Sequence, residues 1–380
     1  MNGHDPSQRS RPRGTDPKRP PPTGSLLRVQ VDIAVTDDLE ISTVDTGRQP
    51  GERREIGRFL ATCGLDDEEG VEVFVVFRHG RQIVACAGLE KNIVKCVATD
   101  PLYRGESISL KVVGEVIHLA YERGYTQLFL YTRPGNVAFF TGCGFYPIVE
   151  VPGLVTLMEN TPVGIRSYCR QLAAKAVAGE RVGAVVMNAN PFTRGHRYLV
   201  ERAAEACDHL HVFVVAEDAS FFPYRERFQL VKAGIEGIPR LTLHPGSQYM
   251  VSRATFSSYF FKEKNMVGDC FTAVDLLIFR EWIAPALRIT HRFVGTEPFC
   301  PTTNKYNVDM KYWLQADLSA RPPVTVVEIA RTEQDTVPIS ASEVRRLLAT
   351  RDFDRIERLV PPTTLQLLRA NYATPHSSAA

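Results

Sequence analysis

Residues 182–196 read VGAVVMNANPFTRGH. Val182–Met187 is a short apolar run of the buried-strand type, Asn188 to Phe192 make a polar, Pro191-containing loop, and Thr193 opens a helix. Downstream, Leu199, Val200, Ala203 and Ala206 recur at helical spacing before a second apolar run, Leu210–Ala216. Strand, helix, strand in that order is a βαβ unit, and the expected solution is a parallel sheet. Further strands are expected at Arg240–His244, His291–Val294 and Thr325–Ala330. Ligands of such sheets sit at the carboxyl ends of the strands, where the 188–196 loop falls. The free N–H groups and dipole of a helix start favour phosphate. Gly195 would let a polyphosphate approach the backbone, Thr193 can donate a hydroxyl hydrogen bond, and His196 can donate to a phosphoryl oxygen that gains charge during bond breaking. The bland alternative makes Thr193 a plain N-cap and His196 a surface residue, since T-x-G-H is a short pattern.

A second helix start lies far along the chain, at Ile339-Ser340-Ala341-Ser342-Glu343-Val344-Arg345. It offers N–H groups, two hydroxyls and an arginine whose fork of donors can hold two phosphoryl oxygens. Ser340 followed three residues later by Glu343 is equally a capping box that needs no ligand.

The first half of the chain has a different style. Val71–Arg78 and Arg81–Leu89 are β-rich runs joined by His79-Gly80, a hairpin signal, and Ile93–Ala98 is a third. A helix over Ile108–Arg123 and a strand at Gln127–Thr132 complete an α+β unit. Pro152, Gly153, Pro162 and Gly164 are expected to mark a boundary. The division is therefore a disordered, basic, Pro-rich tail over 1–28, an α+β domain over 29–160, a connecting helix within 161–181, an α/β domain over 182–374, and a disordered tail over 375–380.

Composition narrows the function. Forty-five Lys plus Arg against 43 Asp plus Glu leave +2, and the first 28 residues alone carry +4. The remaining body is close to neutral, which excludes a broad phosphate-backbone face and makes nucleic acid a poor partner. No apolar run is long enough for a membrane span or a secretory signal. The eight cysteines show no C-x-x-C pair, so they are expected as reduced thiols in a cytoplasmic protein. His209, His211, His244 and His291 lack metal-ligand spacing, and no metal site is expected.

Together, the two helix starts resemble the nucleotidyltransferase superfamily with its (H/T)-x-G-H and I-S-x-[ST]-x-x-R motifs. The stretches 186–199, 217–227, 246–256 and 293–299, with the final ISASEVR, resemble the citrate lyase ligase family. That resemblance implies an N-terminal domain like the Gcn5-related acetyltransferases followed by a Rossmann-like nucleotidyltransferase domain. It implies an ATP-dependent acid-thiol ligase, with Mg²⁺ accompanying the nucleotide. Such an enzyme acetylates the CoA-derived thiol prosthetic group on the acyl-carrier subunit of citrate lyase, through acetyl-adenylate, releasing AMP and pyrophosphate. By the resemblance, Thr193, His196 and Arg345 are the catalytic residues, and Asn188, Asn190, Pro191, Phe192, Gly195, Ile339, Ser340 and Ser342 bind ATP. Gly295, Thr296 and Glu297 are candidates for the ribose or adenine pocket, or a plain Gly-containing turn. Arg253 and Arg227 are candidates for acetate or the carrier. The sequence departs from the acetyltransferase pyrophosphate loop at Ser107 and Ser109, where small residues are usual, so the first domain is expected to have lost acetyl-CoA binding and to be free to dock the carrier arm. The rival readings are another adenylyltransferase acting on a small phosphorylated metabolite, and a binding module without turnover.

Overall fold

The structure, a computed structural model, describes residues 39–373 except 69, 104–105, 217–219, 251–271, 298–300, 332 and 335–336. The two expected tails lie outside the described residues.

Two sheets organise the chain. In the first, β1 (Leu39–Asp45), β2 (Val73–His79), β3 (Gln82–Glu90), β4 (Ile93–Thr99), β5 (Phe129–Thr132), β6 (Tyr146–Val151) and β7 (Val155–Glu159) lie in the order β1-β2-β3-β4-β5-β7-β6. Every pairing is antiparallel except β4 with β5. Strand β2 shows why the sheet is covered on both faces. Val73, Val75 and Phe77 pack with Val112, Val113 and Val116 of α2 (Glu106–Glu122), whereas Phe74 and Val76 pack with Ile56 and Leu60 of α1 (Pro50–Thr62). A strand buried on both sides reads as an unbroken apolar run, as VFVVF does. Gly80 turns the β2–β3 hairpin with φ +59, a conformation that disfavours a side chain.

One sequence reading changes here. Pro152 and Gly153 make the turn between β6 and β7 inside the first sheet rather than a domain boundary, because Gly153 (φ +70) supplies a hairpin reversal. Ser107 sits in the first turn of α2, and the Ser109 hydroxyl lies 3.1 Å from that of Thr99 on β4.

After α3 (Val137–Gly142) in the first unit and α4 (Gly164–Ala173) beyond β7, the second sheet is wholly parallel. Its strands β8 (Val182–Met187), β9 (His209–Val214), β10 (Leu241–His244), β11 (His291–Gly295) and β12 (Thr325–Ile329) lie in the order β10-β9-β8-β11-β12. Helices α5 (Arg194–Glu205) and α6 (Tyr224–Gly234), a helix over 272–287 (α7) and α8 (Pro301–Gln315) connect these strands. The chain then ends in α9 (Ala341–Ala349), α10 (Phe353–Leu359) and α11 (Pro362–Tyr372). The α/β and α+β fold class expected from the sequence is the one observed.

The two sheets share a core. Phe129 and Leu157 of the first pack in one cluster with Val182, Leu276 and Leu287 of the second. Polar bonds cross the same interface: Tyr249 donates to the buried Glu159 carboxylate at 2.5 Å, and the Trp282 indole donates to the Ile148 carbonyl at 2.9 Å. Among the described residues no helix is long and apolar enough to cross a membrane.

A buried histidine pair lies in the parallel sheet. His211 Nδ1 is 2.9 Å from His244 Nε2, and both rings are fully buried. Burial pushes His211 down to about 4 and His244 down to about 3, with His209 adding like charge to both and Lys175 to His244. The unfolded chain, with histidines near 6.5, takes up protons that the folded chain refuses. Stability is therefore fully present above pH 6.5 and declines as pH falls toward about 4. The melting temperature is expected to drop steadily over that window, and a flat profile would mean that the pair contributes no pH dependence.

Candidate active site

The order of the parallel sheet creates a crevice. From β8 the chain moves outward to β9, and from β11 it moves the other way to β12, so the loops after Met187 and Gly295 part at the carboxyl edge between adjacent strands. That switch point is where an open α/β sheet holds its ligand.

Residues 188–193 fill one wall. Ala189 takes the left-handed region (φ +49), the Asn190–Pro191 peptide is cis, and Phe192 drops its ring into the core beside Val200 and Val231. Thr193 is thereby lifted to the N-cap of α5. Its Oγ1 accepts the His196 N–H at 3.3 Å, and its own N–H donates to His196 Nδ1 at 3.1 Å. This is a reciprocal cap with histidine in the place of the usual Glu. A ring nitrogen that accepts a backbone N–H carries no proton, so the hydrogen of the neutral ring is assigned to Nε2. The half-buried ring stacks on Phe192 with centroids 5.7 Å apart. Burial, helped by the Arg331 guanidinium, pushes His196 down to about 4. At neutral pH the imidazole is uncharged, and Nε2 presents an N–H with no hydrogen-bond partner among the described residues.

The second helix start meets the first. A Cβ added at Gly195 would lie 3.3 Å from the Ile339 carbonyl oxygen, so glycine here admits the neighbouring chain. Ser340 caps α9 by accepting the Glu343 N–H at 3.1 Å. Only half of the expected capping box forms, because the Glu343 carboxylate is taken by Arg346 at 2.6 and 2.7 Å. Arg345 donates to the Asn190 carbonyl, 155 positions away in sequence, and to the Ser342 hydroxyl at 3.0 Å. It has no carboxylate partner among the described residues, which leaves net positive charge at the mouth. Thr193, Gly195, His196, Ile339, Ser340, Ser342 and Arg345 therefore share one site.

Other expected residues support the site from below. The Asn188 amide donates to the Ser220 hydroxyl at 3.0 Å, and the Asn190 side-chain oxygen accepts the Phe222 N–H at 3.0 Å, so both asparagines tie the neighbouring loop. Phe192 and Pro191 are buried and form a floor rather than a nucleotide surface. Arg227, expected at the substrate or carrier, is a correction. It has no exposed surface, and it donates to the carbonyls of Phe222 (3.0 Å), Asn188 (3.0 Å) and Val215 (2.8 Å) and to Asn188 Oδ1 (2.8 Å). A side chain closed in on all sides cannot reach a carrier arm. Arg253 lies outside the described residues.

Gly295, Thr296 and Glu297 stand across the crevice, after β11. Thr296 N–H continues the ladder to the Ile329 carbonyl at 3.0 Å, and Glu297 forms an ion pair with Arg331. Arg331 belongs to neither motif, and sequence reasoning misses it. Its one signal is positional: it stands two residues beyond the end of β12, at the same carboxyl edge as the two motifs.

A family profile described as the citrate lyase ligase C-terminal domain matches residues 182–368. The [citrate [pro-3S]-lyase] ligase of Klebsiella pneumoniae is 50% identical over 86% of this chain and 95% of its own length. Among solved structures, an acyl-CoA N-acyltransferase from Pseudomonas aeruginosa is 12% identical over 32% of this chain and 99% of its own, with a TM-score of 0.28. Thermotoga maritima TmcAL bound with alpha-thio ATP is 13% identical over 50% of this chain and 55% of its own, with a TM-score of 0.32.

Proposed function

Because this chain belongs to the citrate lyase ligase family, we propose that it uses ATP and acetate to acetylate the thiol prosthetic group on the acyl-carrier subunit of citrate lyase. The observation that carries the chemistry is the junction of the two helix starts, where Arg345 bridges to the Asn190 carbonyl and Gly195 rests on Ile339. One triphosphate can then meet both.

Acetate is a poor acyl donor until its oxygen is turned into a leaving group. In the first step a carboxylate oxygen attacks the α-phosphorus of ATP, the bond to the bridging oxygen breaks, and pyrophosphate departs from acetyl-adenylate. Charge grows on the phosphoryl oxygens during this displacement. The neutral His196 donates its Nε2–H to one of them, and the α5 N-terminus and Arg345 oppose the same charge. In the second step the carrier thiol, having lost its proton to solvent, attacks the acetyl carbonyl. The carbon–oxygen bond to AMP breaks, leaving the thioester. The protein's work in both steps is positioning and charge stabilisation. Mg²⁺ would accompany the triphosphate and would supply neutralising charge to its oxygens, usually with few protein ligands.

Exchange of labelled pyrophosphate into ATP tests this reading. Exchange that requires acetate and proceeds without the carrier subunit is expected. Exchange that ignores acetate and answers to a phosphorylated pantetheine or a nicotinamide mononucleotide would transfer the site to a different adenylyltransferase, and ATP binding without any exchange would make it a module.

A further inference from the structure

We propose that Arg331 is a further phosphate-contacting residue of this site, held in the crevice by Thr296 and Glu297. The proposal rests on the reading that ATP occupies the crevice. Strand β12 pairs with β11 through Gly295 and Ile329, so the chain leaves β12 next to Thr296. Three bonds then fix Arg331: its N–H donates to Thr296 Oγ1 at 3.3 Å, Nε donates to the Thr296 carbonyl at 2.6 Å, and Nη2 pairs with the Glu297 carboxylate. Glu297 is 8% exposed and Arg331 27%, so the anion is inside and the cation partly at the surface of the crevice. The bonds to Thr296 and Glu297 use Nε and Nη2. Nη1 has no partner among the described residues.

A single ion pair, exposed or buried, adds little net stability, so this one is better explained by what it orients. Arg345, the arginine of the second motif, bonds Asn190 through Nη1 and Ser342 through Nη2, as a strut between the helix starts. Arg331 is anchored on Thr296 and Glu297 across the crevice with Nη1 left over, and its charge helps lower the pKa of His196, whose Nε2–H has no partner among the described residues. A cationic donor fixed at the carboxyl edge of β12 and an imidazole N–H at the α5 start, both on the crevice at a parallel-sheet switch point, suit a phosphoryl group. Among the described residues Arg331 is the charged group acting on His196, whose other contacts are Thr193 and Phe192.

The test uses the full chain with Arg331→Gln and Arg331→Lys. Two measurements are needed: calorimetric binding of α,β-methylene-ATP, which does not turn over, and acetate-dependent pyrophosphate exchange against pH. Arg331→Gln is expected to weaken analogue binding about tenfold and exchange about 100-fold, in the range of a lost oxyanion donor. Removing the cation also raises the His196 pKa, so the acid limb of the exchange profile should move to higher pH. Arg331→Lys, which keeps the charge and loses the fork, should leave the acid limb near its wild-type position while binding is weakened. A folded Arg331→Gln variant with wild-type binding and an unmoved acid limb overturns the proposal. If that variant does not fold, unchanged binding and exchange in Arg331→Lys overturn it instead. Failure of the wild type to bind the analogue would strike the ATP reading itself, which separates the two ideas.

Discussion

Replacing His196 with Ala is expected to lower acetate-dependent pyrophosphate exchange by about 100- to 1,000-fold in kcat, the usual effect of removing one donor aimed at a developing oxyanion. The KM for ATP should change much less, because a bond that strengthens as charge develops stabilises the transition state more than bound substrate. The position of the proton sets the pH dependence. Nδ1 accepts the Thr193 N–H, and burial with the Arg331 charge holds the ring neutral down to about pH 4. Donation from Nε2 therefore persists over the whole neutral range, and the wild type should show no His196-dependent loss between pH 6 and 8. The cap is lost too, but an N-cap is worth about 1 kcal/mol, so the variant should still fold. Exchange within threefold of wild type would remove His196 from the chemistry and restore the reading of a helix cap alone.

The largest stability effect is expected from Arg227→Ala. This guanidinium is fully enclosed and bonds to three carbonyls and one side-chain oxygen, drawn from the β8 loop, the end of β9 and the start of α6. Deleting it strands those acceptors away from water and opens a void, for a cost of about 3–5 kcal/mol. In a chain of this size that corresponds to a fall of roughly 5 °C in melting temperature. Activity should fall with the same variant because Asn188, which Arg227 holds, begins the loop that lifts Thr193 into place. A variant that melted like the wild type while losing only affinity for the carrier would return Arg227 to the substrate role suggested by its place in the sequence.

Much of the fold and site is legible in local patterns. Val182–Met187, the Thr193 cap, the Ser340 cap and the strand runs on either side are set by neighbours within about four positions, so hydrophobic periodicity and capping chemistry expose them directly. Weak patterns escape such reading. Strand β1 is an edge with one buried residue and no clear alternation, and α1 buries only Ile56, Phe59 and Leu60 on a narrow stripe. Arginine roles are the least legible, because the same residue type serves a crevice, a helix surface or a buried clamp.

By itself the sequence determined where the strands and helix starts fall and which of those starts carry hydroxyls, an imidazole and a guanidinium, since these depend on adjacent residues. Only the tertiary structure decided that Ile339 lies against Gly195, that Arg345 reaches Asn190, that Arg227 is sealed inside and that Arg331 is fixed on Thr296 and Glu297. Those relations arise from the strand order β10-β9-β8-β11-β12, which brings together loops more than a hundred residues apart and has no trace in any local window.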